Sequence, residues 1–204
     1  MDAGHFARLE DESRKPYYEA VKSVCDFVLA LASLIIFAPF WLIIVILIHL
    51  DSKGRAVFKH TRIGRDGKPF TLYKFRTMYQ GVKDQELAPR NPRDERVTRV
   101  GRFLRRTSLD EVPQLINILK GEMSLVGPRP EMPFIVEHYR PIERKRLLVK
   151  PGLTGIWQIM GRKDLPLHHN LEFDFYYIRN RSLLLDFVII LKTVAVVISG
   201  KGAY

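Results

Sequence analysis

The sequence predicts an α+β fold: an N-terminal re-entrant, kinked membrane helix, then a small, mainly helical domain with a short β-hairpin and interfacial amphipathic helices. Three observations predict it. Phe27 to Ile48 are 22 consecutive residues without a charge, which at ~1.5 Å of helical rise each cover roughly the ~30 Å of a bilayer core. In AVFKHTRIGRDGKPFTLYKFRTM, β-branched and aromatic residues flank Arg65-Asp66-Gly67, as in two strands joined by a glycine turn. Farther on, apolar positions cluster at Leu115, Ile116, Ile118 and Leu119 and again from Leu183 to Ile198, in helical patterns.

Residues 1–22 are charged and read as a membrane-surface segment, with Lys15, Lys22, Tyr17 and Tyr18 placed to meet headgroups. Residues 23–50 read as the re-entrant membrane helix, broken at Pro39. A buried core helix is disfavoured because Phe27 to Ile48 is apolar on every face, with Ser33 its only hydroxyl-bearing residue. A cleaved signal is disfavoured because the run is too long and no small-x-small site follows Ile48. Pro39 removes the hydrogen bond to the Ile35 carbonyl and predicts a kink. A bent but spanning helix is the alternative to a re-entrant one. The flanks favour re-entry: Arg8, Arg14, Lys15 and Lys22 precede the segment, and Lys53, Arg55, Lys59, Arg62, Arg65 and Lys68 follow it, so neither side lacks the cations typical of a cytoplasmic face.

Residues 51–204 suffice for one compact domain. After the hairpin, Tyr79 to Glu95 is polar, contains Pro89 and Pro92, and reads as a surface loop with at most one helical turn. Ser108 and Glu111 have capping-box spacing ahead of a helix ending at Gly121, with Pro113 either at its first position or breaking it. Asp110 therefore sits at or just before a helix N-terminus. Gly127-Pro128-Arg129-Pro130 reads as a stiff connection, Arg140 to Lys150 as a basic helix, and Pro151 to Gly161 as a glycine-punctuated strand or loop. Asp186 and Lys192 interrupt the last apolar stretch, which reads as an interfacial amphipathic helix.

The 33 Lys and Arg against 22 Asp and Glu leave a net charge of +11, which favours anionic partners without choosing among lipid headgroups, phosphorylated substrates and nucleic acid. A single cysteine, Cys25, excludes a disulfide framework and a thiolate zinc site and suits a reducing compartment. Walker, G-x-G-x-x-G, G-x-S-x-G and D-x-D signatures are absent, and the histidines lack metal-ligand spacing.

Several residues could carry chemistry, and each has a bland counterpart. Asp110 and Glu111 suit a helix dipole; equally, a field from Arg102, Arg105, Arg106, Lys120 and Arg129 could hold Asp110 ionised as a nucleophile or magnesium ligand. Arg129, between two prolines, presents a planar fork matched to phosphate, or is an exposed turn arginine. Lys74 and Arg76 share one face of a predicted strand, as in any amphipathic strand. Arg162 follows Trp157, Gln158 and Gly161, where an aromatic could hold a base or belong to the core.

Taken together, FKHTRIGRDGKPFTLYKFRTM, RVTRVGRFLRRTSLDEVPQLINILKGEMSLVGPRP and PGLTGIWQIMGR resemble the bacterial sugar transferase family, the monotopic polyprenol-phosphate phosphoglycosyl transferases, from about Tyr18 to Gly202. The chain looks like the minimal catalytic form. The resemblance implies transfer of a sugar phosphate from a nucleotide diphosphate sugar, usually a uridine one, to polyprenol phosphate at the cytoplasmic face of the bacterial inner membrane, in the assembly of a glycoconjugate. It implies that Asp110 is the nucleophile and a magnesium (Mg2+) ligand, that Glu111 assists, and that Arg129 clamps phosphate. Lys74, Arg76, Arg105 and Arg162 are similar to further basic positions lining such a site. Membrane lipid is an implied partner, nucleic acid is not, and a homodimer is compatible with the sequence. The family's re-entrant helix breaks at a Ser-Pro pair, where this chain reads Ala38-Pro39. A membrane-tethered scaffold and a membrane phosphohydrolase using Asp110 are the competing classes.

Overall fold

A computed structural model of the chain describes residues 15–81, 94–160 and 171–199. The described part is mostly helical with two small sheets. The apolar segment forms two helices, α1 (Pro16–Ile36) and α2 (Ala38–Asp51), bent by 65°. The bend falls at Phe37, two residues before Pro39. The Phe37 amide donates to Ser33 and its carbonyl accepts from Trp41, so the proline occupies the first turn of α2, where its missing N–H is tolerated. Among the described residues no single helix is long and apolar enough to cross a membrane; the bent pair passes that test together.

The hairpin follows as expected. β1 (Val57–Ile63) pairs antiparallel with β2 (Pro69–Phe75) in the register Arg62↔Phe70 and Phe58↔Lys74. Asp66 and Gly67 take left-handed backbone in the turn between them. Met78 bridges Val97, and most of the predicted loop from Tyr79 to Glu95 lies outside the described residues. α3 (Arg99–Thr107) is capped by Thr98 Oγ1, which accepts from the Gly101 amide at 2.9 Å.

The next segment corrects the sequence reading. Ser108 closes α3 in left-handed backbone (φ 57°) and its side chain caps nothing, so the expected capping box does not form. Leu109–Gln114 is a 3-10 turn containing Pro113, and regular helix resumes only in α4 (Leu115–Leu119). The predicted basic helix is likewise split into α6 (Pro141–Arg144) and a 3-10 turn, Lys145–Leu148, after the short α5 (Pro133–Glu137). The predicted strand or loop after Pro151 is both strand and helix: β4 (Gly152–Thr154), then α7 (Ile156–Met160). The chain continues in α8 (Glu172–Asn180) and α9 (Leu183–Ser199).

β3 (Ser124–Val126) pairs parallel with β4. Their glycines explain the Gly-Pro-Arg-Pro and Pro-Gly-Leu-Thr-Gly sequences. The Gly127 amide donates to Thr154 and the Gly152 amide to Pro128, and the two backbones approach so closely that a Cβ on Gly152 would strike the Gly127 nitrogen.

Two buried clusters hold the body to the bent pair. Ala30 of α1 packs with Phe70, Leu72, Leu115, Ile118 and Met123. Ile44 and Ile48 of α2 pack with Ala56, Phe75 and Leu104. Val112 of the 3-10 turn touches both clusters and Leu109 the second. The polar residues of α1 also face the body. Lys15 donates to the carbonyls of Arg179 and Arg181, and Lys22 and Tyr18 donate to Asp186 of α9. Of the four residues expected at headgroups, only Tyr17 is left exposed. The expected boundary at residue 22 lies inside the continuous helix α1.

Gly152→Ala is expected to destabilise the protein by at least ~1–3 kcal/mol, because the collision involves backbone on both sides. A melting temperature of the detergent-solubilised variant equal to that of the parent would contradict this packing.

Candidate active site

The turn Leu109–Gln114 alternates in what it faces. Leu109 and Val112 pack inward against the bent pair's clusters, which leaves Asp110 and Glu111 facing the opposite way. Two elements approach them there. β2 delivers Lys74, whose Nζ donates to Glu111 Oε1 at 2.6 Å. The Pro-Arg-Pro loop delivers Arg129, whose Nη2 donates to the same oxygen at 3.0 Å. β2 is fastened beside the turn by Asn117, fully buried, whose amide donates to the Thr71 carbonyl and accepts from the Tyr73 amide.

The two carboxylates differ in charge state. Burial opposes the charge of Glu111, but Lys74 and Arg129, each through charge and a hydrogen bond, hold it well below the usual carboxylate range. Burial raises Asp110, Glu111 adds to the rise, and Lys74, Arg105 and Arg129 pull the other way without overcoming it. The positive field expected around Asp110 is present, in Lys74, Arg105 and Arg129, but its hydrogen bonds go to Glu111, and burial outweighs its pull on Asp110. Among the described residues neither a hydrogen bond nor an ion pair reaches the Asp110 carboxylate.

Arg105 stands on α3, its Nε donating to Thr77 Oγ1 at 2.8 Å while its charge acts on Asp110. Arg76 does not join the group. It is buried, and its guanidinium donates to the Ile48, Ser52 and Lys53 carbonyls at the C-terminus of α2, where unpaired carbonyls need donors. Lys74 and Arg76 thus part company: one serves the site and the other caps a helix. Arg162 lies outside the described residues. Trp157 is buried, with the Arg129 guanidinium 5.9 Å from its ring centroid, which makes it a shelf for Arg129.

Divalent-cation binding can be judged from the donors. Among the described residues no cluster of three or more His, Cys, Asp or Glu could hold an ion unaided. One unpartnered carboxylate beside a second fits magnesium, which commonly takes one or two carboxylates and completes its shell with phosphate oxygens and water. Asp110 is the available donor, since Glu111 already carries Lys74 and Arg129.

The family model described as "Bacterial sugar transferase" matches residues 17–200. The chain belongs to the bacterial sugar transferase family. It is 39% identical over 212 residues to the undecaprenyl-phosphate galactose phosphotransferase of Salmonella typhimurium, covering 97% of this chain and 44% of that protein. It is 41% identical over 192 residues to the UDP-glucose:undecaprenyl-phosphate glucose-1-phosphate transferase of Escherichia coli, covering 90% and 41%. The exopolysaccharide production protein ExoY of Sinorhizobium fredii is 38% identical over 214 residues, covering 98% and 95%. The chain thus spans less than half of the first two relatives and nearly all of the third.

The structure of this sugar transferase family member adds two cations to those expected. Arg146 has a side chain only 1% exposed; it pairs with Asp174 at 2.8 Å and donates to Tyr139 Oη and to the Arg129 carbonyl. It thereby fixes the Pro-Arg-Pro backbone. A run of basic residues from Arg140 to Lys150 hid it, because nothing in the run marks which member turns inward. Arg62 at the end of β1 is the second, set among Arg129, Glu131 and Glu111.

Two outcomes are expected. Arg146→Ala leaves Asp174 buried and unpaired and is expected to destabilise by about 3–5 kcal/mol in denaturant unfolding. In a 13C carboxyl titration, Asp110 is expected to lose its proton above the ordinary aspartate range. Glu111→Gln, which removes a neighbouring negative charge and frees two cations, is expected to move that titration to lower pH; movement to higher pH would contradict the assigned coupling.

Proposed function

We propose that this chain is a phosphoglycosyl transferase that moves a sugar phosphate from a uridine diphosphate sugar to polyprenol phosphate through a covalent aspartyl intermediate. The observation that carries the reading is Asp110, without a partner among the described residues, beside a Glu111 that accepts from both Lys74 and Arg129. An ionised Asp110 oxygen attacks the phosphorus bonded to the sugar. The bond from that phosphorus to the bridging oxygen breaks, and uridine monophosphate leaves with the bridging oxygen. A phosphate oxygen of the polyprenol phosphate then attacks the same phosphorus, displaces Asp110, and yields polyprenol diphosphate sugar.

Lys74 and Arg129 enter this scheme already oriented, because Glu111 holds both and leaves their remaining N–H groups for phosphate oxygens. Arg105 adds charge from α3. Bound magnesium, with Asp110 as its protein ligand, would neutralise the diphosphate and favour the ionised carboxylate. Names of relatives support the substrates: the Salmonella and E. coli proteins are named for transfer to undecaprenyl phosphate, the latter from UDP-glucose. The ExoY relative is named for exopolysaccharide production, which supports an early membrane step of polysaccharide assembly.

The bent pair is read as re-entrant, on the cytoplasmic face of the inner membrane, with residues 51–204 as the catalytic domain. Large apolar side chains on both legs face outward, among them Phe27, Leu29, Ile35, Phe40, Leu42 and Leu50. With a 65° bend, legs of ~16–20 Å that enter and leave one face reach only about 10 Å deep, within one leaflet. Cations on both flanks support the same placement.

Incubation with a labelled uridine diphosphate sugar and magnesium, without acceptor, is expected to leave label on Asp110 and release uridine monophosphate in a burst. Asp110→Asn is expected to lose roughly 10³-fold or more in turnover; full turnover by that variant sinks the mechanism. Cysteines introduced at Lys53 and Tyr17 are both expected to react with a reagent confined to the cytoplasmic side, whereas labelling from opposite sides would restore a span.

A further inference from the structure

We infer that Arg62 is a phosphate-binding residue of this site, forming with Arg129 and Lys74 a cradle for one phosphate group of the reaction. The inference rests on the transferase reading for the identity of the anion, but its geometry is independent of it. Register and strand alternation put Arg62 on the same hairpin face as Phe70, Leu72 and Lys74. Phe70 and Leu72 of that face are buried in the core, and Lys74 reaches Glu111, so the face bearing Arg62 is the one turned toward the active turn.

A backbone bridge sets the position of Arg62 along the strand. The Ile63 amide donates to the Glu131 carbonyl at 2.9 Å, joining the end of β1 antiparallel to the residue that follows Pro-Arg-Pro. Arg62 is therefore held next to Arg129. Burial pushes its guanidinium down to about 10, the Arg129 charge pushes the same way, and Glu131 and Glu111 oppose them. It remains fully charged at neutral pH. Among the described residues it makes no ion pair: Glu111 is engaged by Lys74 and Arg129, and Glu131 lies 3.8 Å from Arg146.

Half-buried like charges side by side, with the nearby carboxylates already engaged, leave a local positive surplus that a phosphate would neutralise. Lys74, Arg105, Arg129 and Arg62 surround Asp110 and Glu111, and Asp110 is the more readily protonated of the two. The phosphate could come from the sugar nucleotide or from the lipid acceptor; both offer the same oxygens to a guanidinium fork.

The test uses the full purified chain in detergent with magnesium, as the parent, Arg62→Gln and Arg62→Lys. The first probe is inorganic pyrophosphate, titrated calorimetrically so that no turnover is needed. Arg62→Gln is expected to bind it about tenfold or more weakly, with the melting temperature unchanged and Arg62→Lys intermediate. The second readout separates the sources. A raised KM for the uridine diphosphate sugar with a diminished burst assigns Arg62 to the donor; an intact burst with a raised KM for undecaprenyl phosphate assigns it to the acceptor. Pyrophosphate affinity equal to the parent's with both KM values unmoved overturns the inference, as does a parent that binds no pyrophosphate. If Arg62→Gln does not fold, Arg62→Lys decides: several-fold weaker binding at an unchanged melting temperature supports the site, and parental affinity overturns it. Pyrophosphate binding that depends on Arg62, in a parent that releases no uridine monophosphate from any sugar nucleotide tried, keeps the anion site and removes the transferase reading.

Discussion

The site depends on a single oxygen atom. Glu111 Oε1 accepts from both Lys74 and Arg129, and this shared acceptor joins the hairpin, the 3-10 turn and the Pro-Arg-Pro loop, which are far apart in sequence. The same arrangement divides labour between adjacent carboxylates. Glu111 absorbs the positive field and stays ionised, while Asp110, desolvated and without a partner among the described residues, keeps its proton more readily. A carboxylate fully neutralised by arginines would be a poor nucleophile. An unpaired one adjacent to oriented cations is better suited.

The cations are themselves held by buried partners. Arg146 grips the Arg129 backbone from a pocket containing Asp174 and Glu131, so Arg129 approaches Glu111 from a fixed loop. Close packing of Gly127 on Gly152 holds the other side of that loop. Asn117 performs the same service for Lys74 by replacing a missing strand neighbour along β2. Each support is a polar group satisfied inside the body, where an unpaired one would be strongly destabilising.

Much of this was legible where the physics is local. Pro39 implied a kink because a missing N–H acts within one turn, and the bend lies two residues away. Arg65-Asp66-Gly67 implied the hairpin, since left-handed backbone is a property of the turn itself. Matters decided by distant partners were not legible. Lys74 and Arg76 have the same spacing as any two cations on a strand, yet one meets Glu111 and the other a helix end. Ser108 and Glu111 have ideal capping spacing, but Ser108 turns left-handed and Glu111 is taken by cations. Arg62 read only as one of several flank charges until the bridge from Ile63 to Glu131 put it beside Arg129.

The last helix extends the same logic to the solvent. Asp186 interrupts an apolar run and, read alone, implies a polar face turned to water. It is instead buried, accepting from Tyr18, Lys22 and Tyr177, while Leu184, Phe187, Leu191 and Ile198 point outward, Ile198 at 81% exposure. A helix with its carboxylate inside and its apolar stripe outside is poorly matched to water and well matched to hydrocarbon. That stripe belongs to a helix tied through Asp186 to α1, whose apolar side chains also face outward. In the proposed reading, this ties α9 to the bent pair's depth in the bilayer, and Leu109 and Val112, packed on the pair's clusters, pass that depth to Asp110. On that reading Asp110 is held by the same elements that meet the layer from which a lipid phosphate must arrive.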